Sequence, residues 1–270
     1  MMKLSAIAGG CCVLLLSLVA VAEETVLPPD AEGAPAVLKD SPRHGEFVFI
    51  PLADTDTKLK AFVVYPERAE KAPVVLVIHE IYGMTDWSNS VADAFAREGF
   101  IAVAPDLISG MEGAEDNPRE AIGKLTPEET VKRLNAALEY GLALPASSGK
   151  VGCVGYCYGG RTTFFYASEQ PKLDAAVVFY GSSPDKDALA KINAPIQGHY
   201  GGKDNRVNST IPDAEATMKK LQKPFEVNIY EGAGHGFLRQ QDGQEGANLK
   251  AGQQAWPKTI AFFKTKLEAE

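Results

Sequence analysis

The amino-acid sequence predicts an α/β protein: a mostly parallel, doubly wound sheet flanked by helices. Three observations predict it. Val74-Val75-Leu76-Val77-Ile78, Ile101-Ala102-Val103-Ala104 and Ala175 to Tyr180 are continuous apolar runs, as expected of strands buried on both faces. From Pro73 onward such runs alternate with segments of helical period, which is how parallel strands are connected. The stretch Gly152 to Gly160 reads as the end of a buried strand, a sharp turn and the start of a helix. The chain has 270 residues, 45% hydrophobic and 23% charged, so it can bury a core, and no repeat divides it.

The first 22 residues stand apart from this pattern. Met1-Met2-Lys3 is a short positive start, Cys11 to Val21 is nearly all apolar, and Ala20-Val21-Ala22 has the small-x-small form of a signal peptidase site. Residues 1–22 are therefore expected to be a cleaved secretory signal. The apolar run is short for a spanning helix, so no stable membrane insertion is expected after cleavage. The product would be periplasmic or extracellular. Residues 23–44 carry Pro28, Pro29, Pro35 and Pro42 among small and acidic residues and read as a flexible or loosely packed lead-in.

The domain proper is expected over residues 45–270. Glu46 to Ile50 and Leu59 to Tyr65 alternate as two strands, with a hairpin turn at Asp54-Thr55-Asp56. After the Val74 strand comes a helix over 88–97, closed by Gly99, then the Ile101 strand, stopped at Pro105-Asp106. Ile108 to Leu125 is rich in Gly and acids and reads as an irregular insertion. A helix over 127–144 follows, with Thr126 as its N-cap and Glu128-Glu129 in the first turn. The strand Lys150 to Gly155 feeds the turn, and a helix over 160–168 leaves it. Strands over 175–180, 196–200 and 225–230 then alternate with helices over 184–191 and 213–221. A last helix spans 249–267, with Pro257 inside it.

Active residues in such sheets sit in loops at the carboxyl ends of the strands. Gly155-Tyr156-Cys157-Tyr158-Gly159 is a G-x-C-x-G, the nucleophile elbow with cysteine in place of serine. Its glycines are needed because a side chain there would meet neighbouring backbone. The turn holds Cys157 at a helix N-terminus, where the dipole favours thiolate. Asp204, in Gly201-Gly202-Lys203-Asp204, and His235, in Gly234-His235-Gly236, follow later strands, in the nucleophile–acid–histidine order of α/β-hydrolases. The backbone N–H groups of Tyr158 and Ile81 occupy the two oxyanion-hole places. Glu80 beside them would repel an oxyanion unless protonated, paired or swung away. His79 is expected to shape its loop, Asp106 to brace another, and His199 to be packed in a strand. Tyr156, Tyr158 and Trp87 could line the pocket or pack. Arg161 opens the helix after the elbow, where a partner acid or the substrate would compensate its charge.

With His79-Glu80-Ile81-Tyr82-Gly83 and Ala104-Pro105-Asp106-Leu107, these motifs resemble the dienelactone hydrolase family of α/β-hydrolases over about Glu46 to Leu267. The resemblance implies a Cys157–Asp204–His235 triad working through an acyl-thioester. It also implies that Glu80 takes the cysteine proton when substrate binds, and that Arg239 holds a substrate carboxylate. The family's other arginine follows Pro-Asp-Leu; here Ile108-Ser109-Gly110 follows, without one.

The leading expectation is thus an exported hydrolase of small ester or lactone substrates, a monomer with no cofactor and no metal. A net charge of −8 argues against nucleic-acid partners. The alternative is a non-catalytic ligand-binding protein on the same fold. A redox pair of Cys153 and Cys157 is disfavoured, because their spacing points Cys153 into the core.

Overall fold

The computed structural model describes residues 25–268, and the leader expected over residues 1–22 lies outside them. Eight strands form one sheet: β1 (Gly45–Pro51), β2 (Lys58–Val64), β3 (Ala72–Ile78), β4 (Ile101–Pro105), β5 (Ser147–Tyr156), β6 (Ala175–Phe179), β7 (Ile196–Gly201) and β8 (Phe225–Tyr230). The helices are α1 (Ala34–Lys39), α2 (Asp86–Arg97), α3 (Pro118–Lys124), α4 (Pro127–Ala143), α5 (Tyr158–Glu169), α6 (Lys186–Lys191), α7 (Asn205–Asn208), α8 (Ile211–Lys220) and α9 (Ala247–Leu267).

The sheet order is β1-β2-β4-β3-β5-β6-β7-β8. β1, β2 and β4 pair antiparallel, and every pairing from β4 to β8 is parallel. The chain leaves β3 toward β4 on one side and returns to β5 on the other. The strand order therefore switches between β3 and β5, and in such sheets ligands bind outside the carboxyl ends at the switch.

The period-2 alternation of β3 divides the core. Val74, Leu76 and Ile78 face a cluster with Leu134, Leu138 and Phe164 from α4 and α5. Val75 and Val77 face the opposite cluster, with Phe95 of α2 and Trp256, Ile260 and Phe263 of α9. Local chemistry starts the helices where the sequence places it. Thr126 accepts the Glu129 N–H at the head of α4, and Thr85 and Ser88 form a reciprocal capping box on α2.

Three expectations are corrected. The lead-in is packed, not loose. Trp87 Nε1 donates to the Pro29 carbonyl at 3.1 Å, and Ala31 N–H donates to the Arg239 carbonyl at 3.0 Å. Arg43 makes two hydrogen bonds to Asp93, with the Asp93 side chain buried and that of Arg43 mostly so. Because this segment covers the outer side of α2, the whole run Trp87 to Ala96 is buried, polar residues included. The insertion after Ile108 is also partly regular. Asn117 caps α3 through the Glu120 N–H, and Ile108, Ala114, Ala121 and Ile122 make a small cluster of their own. Finally, α6 starts at Lys186, with Asp185 as its cap, because Asp185 Oδ1 accepts the Ala188 N–H at 2.9 Å. No helix among the described residues is long and apolar enough to cross a membrane.

Candidate active site

The elbow is as tight as its glycines imply. A Cβ on Gly155 would lie 2.1 Å from the Gly159 carbonyl oxygen. One on Gly159 would lie 2.3 Å from the Ile78 oxygen and 2.6 Å from the His79 oxygen. Real side chains do not fit such gaps, so only glycine lets α5 seat against the end of β3. This contact brings the loop with Glu80 and Ile81 beside the turn. Cys157 sits at φ 57° and ψ −110°, a conformation that non-glycine residues avoid. Its N–H is tied to the Phe179 carbonyl at 3.1 Å, and its side chain is half-buried at the head of α5. Tyr158 opens that helix, so its N–H has no intrahelical acceptor.

Asp204 and His235 come from adjacent strand ends. Their loops are laced together: Gly202 N–H donates to the Tyr230 carbonyl at 2.7 Å and Lys203 N–H to the Ala233 carbonyl at 2.9 Å. Asn248 Oδ1 accepts the Gly234 N–H at 2.9 Å. Asp204 Oδ2 then meets His235 Nδ1 at 2.5 Å, while Oδ1 accepts the Val207 N–H and caps α7. The capping and orienting uses of this aspartate are both realised. Burial disfavours the His235 imidazolium, but the hydrogen bond to Asp204, then the interaction with Cys157, outweighs it and raises the histidine to about 9. Burial also works against the Asp204 carboxylate, and His235 overcomes this and holds it below its ordinary value.

Glu80 is buried, and burial pushes its carboxyl up, with the Arg239 charge partly offsetting this. Arg239 Nε lies 2.6 Å from Glu80 Oε2, and its guanidinium stacks over the Tyr82 ring at 4.9 Å. The Nε–H is turned off the line of the contact, so charge holds the pair rather than a well-directed hydrogen bond. Of the three ways for Glu80 to avoid an oxyanion, the structure shows pairing. Arg239 is thus occupied by a protein carboxylate in this state, not open to solvent as a simple anion clamp would be.

The remaining candidates fall where the sequence puts them. His79 is buried; its Nδ1 pairs with the Glu80 carbonyl at 2.7 Å, and its Nε2 accepts the Leu107 N–H at 3.1 Å, shaping both loops. Asp106 braces its turn through the Ile108 N–H and the Ser109 hydroxyl. His199 is packed against Tyr230 and Gln197, and burial pushes it down to about 3. Cys153 is a core residue beside Thr163, its thiol pushed up by burial to about 12, and both described cysteines are free. Trp87 and Tyr156 pack edge to face in the core, so of the three aromatics only Tyr158 is half-exposed.

This geometry agrees with what the chain is similar to. The model of the "Dienelactone hydrolase family" matches residues 59–267, most of the chain. The chain belongs to that family. A carboxymethylenebutenolidase-type protein of Saccharolobus solfataricus is 30% identical over 255 residues, covering 78% of this chain and 96% of that one. One from Aquifex aeolicus is 32% identical over 229 residues, covering 78% and 95%. Among solved structures, a dienelactone hydrolase-type protein of Klebsiella pneumoniae superposes with a TM-score of 0.73 at 23% identity, covering 82% of this chain and 98% of that one. The fold is also that of the Pyrococcus horikoshii acylaminoacyl peptidase, with a TM-score of 0.70 at 16% identity, covering 88% of this chain and 44% of that one. The protein is an α/β-hydrolase with a dienelactone hydrolase-like activity class.

Two residues of this hydrolase escaped the sequence reading. Tyr180 follows β6 at φ 40°, fully buried, with its ring edge-on to His235 at 5.2 Å. Among the described residues its hydroxyl makes no well-formed hydrogen bond, although Glu80 is near it, and burial and then the charge of Glu80 keep it protonated. The strand-end rule points to Tyr180 as directly as to Asp204. Tyr82, stacked on Arg239, sits in the His79 motif, but the stack joins residues 157 positions apart and leaves no local signal. Tyr82 also lines a cleft of about 1180 Å³ together with Ile108 and Met111 of the insertion.

Proposed function

We propose that the protein is an exported hydrolase of small ester or lactone bonds in which Cys157 is the nucleophile. The observation that carries this reading is the joining of Asp204 to His235 at 2.5 Å, with Cys157 beside them on the strained elbow. His235 takes or shares the thiol proton, and the thiolate attacks the acyl carbon. The charge that develops on the carbonyl oxygen is met by the N–H groups of Tyr158 and Ile81. The leaving alcohol departs with the proton taken from the thiol, and His235 then activates water to release the acid from the thioester.

Glu80 and Arg239 add a condition to this sequence. While Arg239 lies against it, Glu80 is stabilised as a carboxylate. A substrate carboxylate that drew Arg239 away would remove that stabilisation and leave Glu80 buried and more basic. It would then accept the Cys157 proton in place of His235, as the family resemblance implies. Carboxymethylenebutenolidase activity, named for the relatives, fits this scheme because such a lactone bears a carboxylate.

The test is the hydrolysis of small activated esters and unsaturated lactones by wild type and Cys157→Ala. A loss of about 10³-fold or more in kcat is expected, the scale on which triad members act. Equal rates would remove Cys157 from the mechanism.

A further inference from the structure

Arg161 has no role in the scheme above. It is exposed, and among the described residues no carboxylate lies within 4 Å of it, as is also the case for Arg97, Arg119 and Arg206; of these four, Arg161 is the one on the helix that the nucleophile elbow opens. Its backbone is nonetheless held firmly. Its N–H donates to the Cys157 carbonyl at 3.1 Å, and Gly181 packs so closely that a Cβ there would lie 2.2 Å from the Arg161 nitrogen. The Arg161 Cα is therefore fixed four residues from the nucleophile, about 6 Å along the helix axis, while the guanidinium is unpaired.

The side chain lines a hollow of about 410 Å³ together with Tyr158, Thr130, Thr162, Ser183 and Asp185. That is within the size range of sites for small molecules, about 300–1,000 Å³. The hollow has an apolar wall at Phe165 and Leu125, and three aliphatic hydroxyl side chains among its polar groups. Asp185 is the acid on its wall, and it is turned to cap α6. Arg161 is thus an uncompensated cation in a hollow bounded by Tyr158, the residue after the nucleophile. A planar guanidinium matches a carboxylate in a two-point contact, and hydroxyls can complete the ligand's shell.

We propose that Arg161 and this hollow form a subsite for a carboxylate carried several carbons from the scissile carbonyl, giving the enzyme a preference for acidic acyl esters. This subsite is separate from Arg239, which is held by Glu80 and Tyr82. The kinetic form of the proposal rests on Cys157 acting as the nucleophile.

The test compares 4-nitrophenyl hydrogen adipate with 4-nitrophenyl hexanoate, which have the same chain length and differ in the terminal carboxylate. In wild type the ratio of kcat/KM, acidic over neutral, is expected to exceed that of Arg161→Gln tenfold or more, with the difference in KM. Arg161→Lys, which keeps the charge, should recover part of it. An unchanged ratio overturns the subsite. In parallel, adipate itself is titrated calorimetrically into Cys157→Ala with and without Arg161→Gln. A tenfold or greater loss of affinity supports the subsite; equal affinity, or no binding with Arg161 present, overturns it. If no ester is hydrolysed while adipate binding still depends on Arg161, the hydrolase reading fails and the subsite stands. If hexanoate is hydrolysed and Arg161 changes neither readout, the subsite fails and the hydrolase reading stands.

Discussion

Asp204 serves two neighbours with two oxygens, and the uses can be separated by substitution. Oδ1 caps α7 and Oδ2 holds His235. Asp204→Asn keeps a capping oxygen but removes the charge that orients and stabilises the imidazolium. Asp204→Ala removes both. The first should lower kcat by about 10³- to 10⁴-fold with a modest loss of stability. The second should lose about 1 kcal/mol more in urea unfolding, the typical worth of a cap. The pair also sets a pH dependence. His235 is raised from 6.5 to about 9 in the folded protein, so its contribution to stability is full below about 6.5 and is lost as the pH rises through about 9. Unfolding free energy measured from pH 6 to 10 should fall on that limb in wild type. It should be flatter in Asp204→Asn, where the main cause of the raised value is gone.

At the scale of the element, the segment before the sheet matters more than its composition suggests. Prolines at 28, 29, 35 and 42 read as loose chain, yet their carbonyls and neighbours are used. Pro28 accepts from Gln241 Nε2 at 2.9 Å, and Ala31 bonds to Arg239, so the segment touches the loop that carries Arg239, just past His235. Its strongest tie is Arg43 on Asp93, with side chains 10% and 4% exposed, in a two-point contact. Removing one partner of such a pair leaves a buried charge unmatched. Arg43→Ala should cost about 3 kcal/mol in urea unfolding and make residues 25–43 the first site of limited proteolysis. An unaltered cleavage pattern would mean that the segment is held independently of Arg43.

At the scale of the whole molecule, the sheet order places the chemistry. The switch between β3 and β5 puts the Glu80–Ile81 loop and Cys157 side by side, and β7 and β8 deliver Asp204 and His235 to the same end of the sheet. Four separate stretches, the loops after β3, β5, β7 and β8, meet there because parallel strands all end on one side. We also propose that the protein is exported with residues 1–22 removed. Expression of the full sequence in a Gram-negative host should yield a mature protein that begins at Glu23 and is released with the periplasmic or external fraction. Retention of Met1 in the cytoplasm would overturn this.

The sequence by itself determined the eight strands in order, the longer helices, the elbow, the family motifs and the candidate residues Cys157, Asp204 and His235. Each of these is written in local signals: apolar runs, caps, and glycines where a Cβ would strike backbone. The need for glycine at 155 is local, since its Cβ would meet the Gly159 carbonyl four residues on, whereas Gly159 is required by the Ile78 and His79 carbonyls, which only the fold brings to it. Only the tertiary structure decided that the lead-in is packed, that Glu80 is neutralised by Arg239, that Tyr82 and Tyr180 border the site, and that Arg161 faces a hollow without a partner. Each of those facts joins residues that are distant in the chain or surrounds a side chain with several elements at once. Burial and pairing of charge depend on that three-dimensional environment, and no local pattern of residue types encodes it.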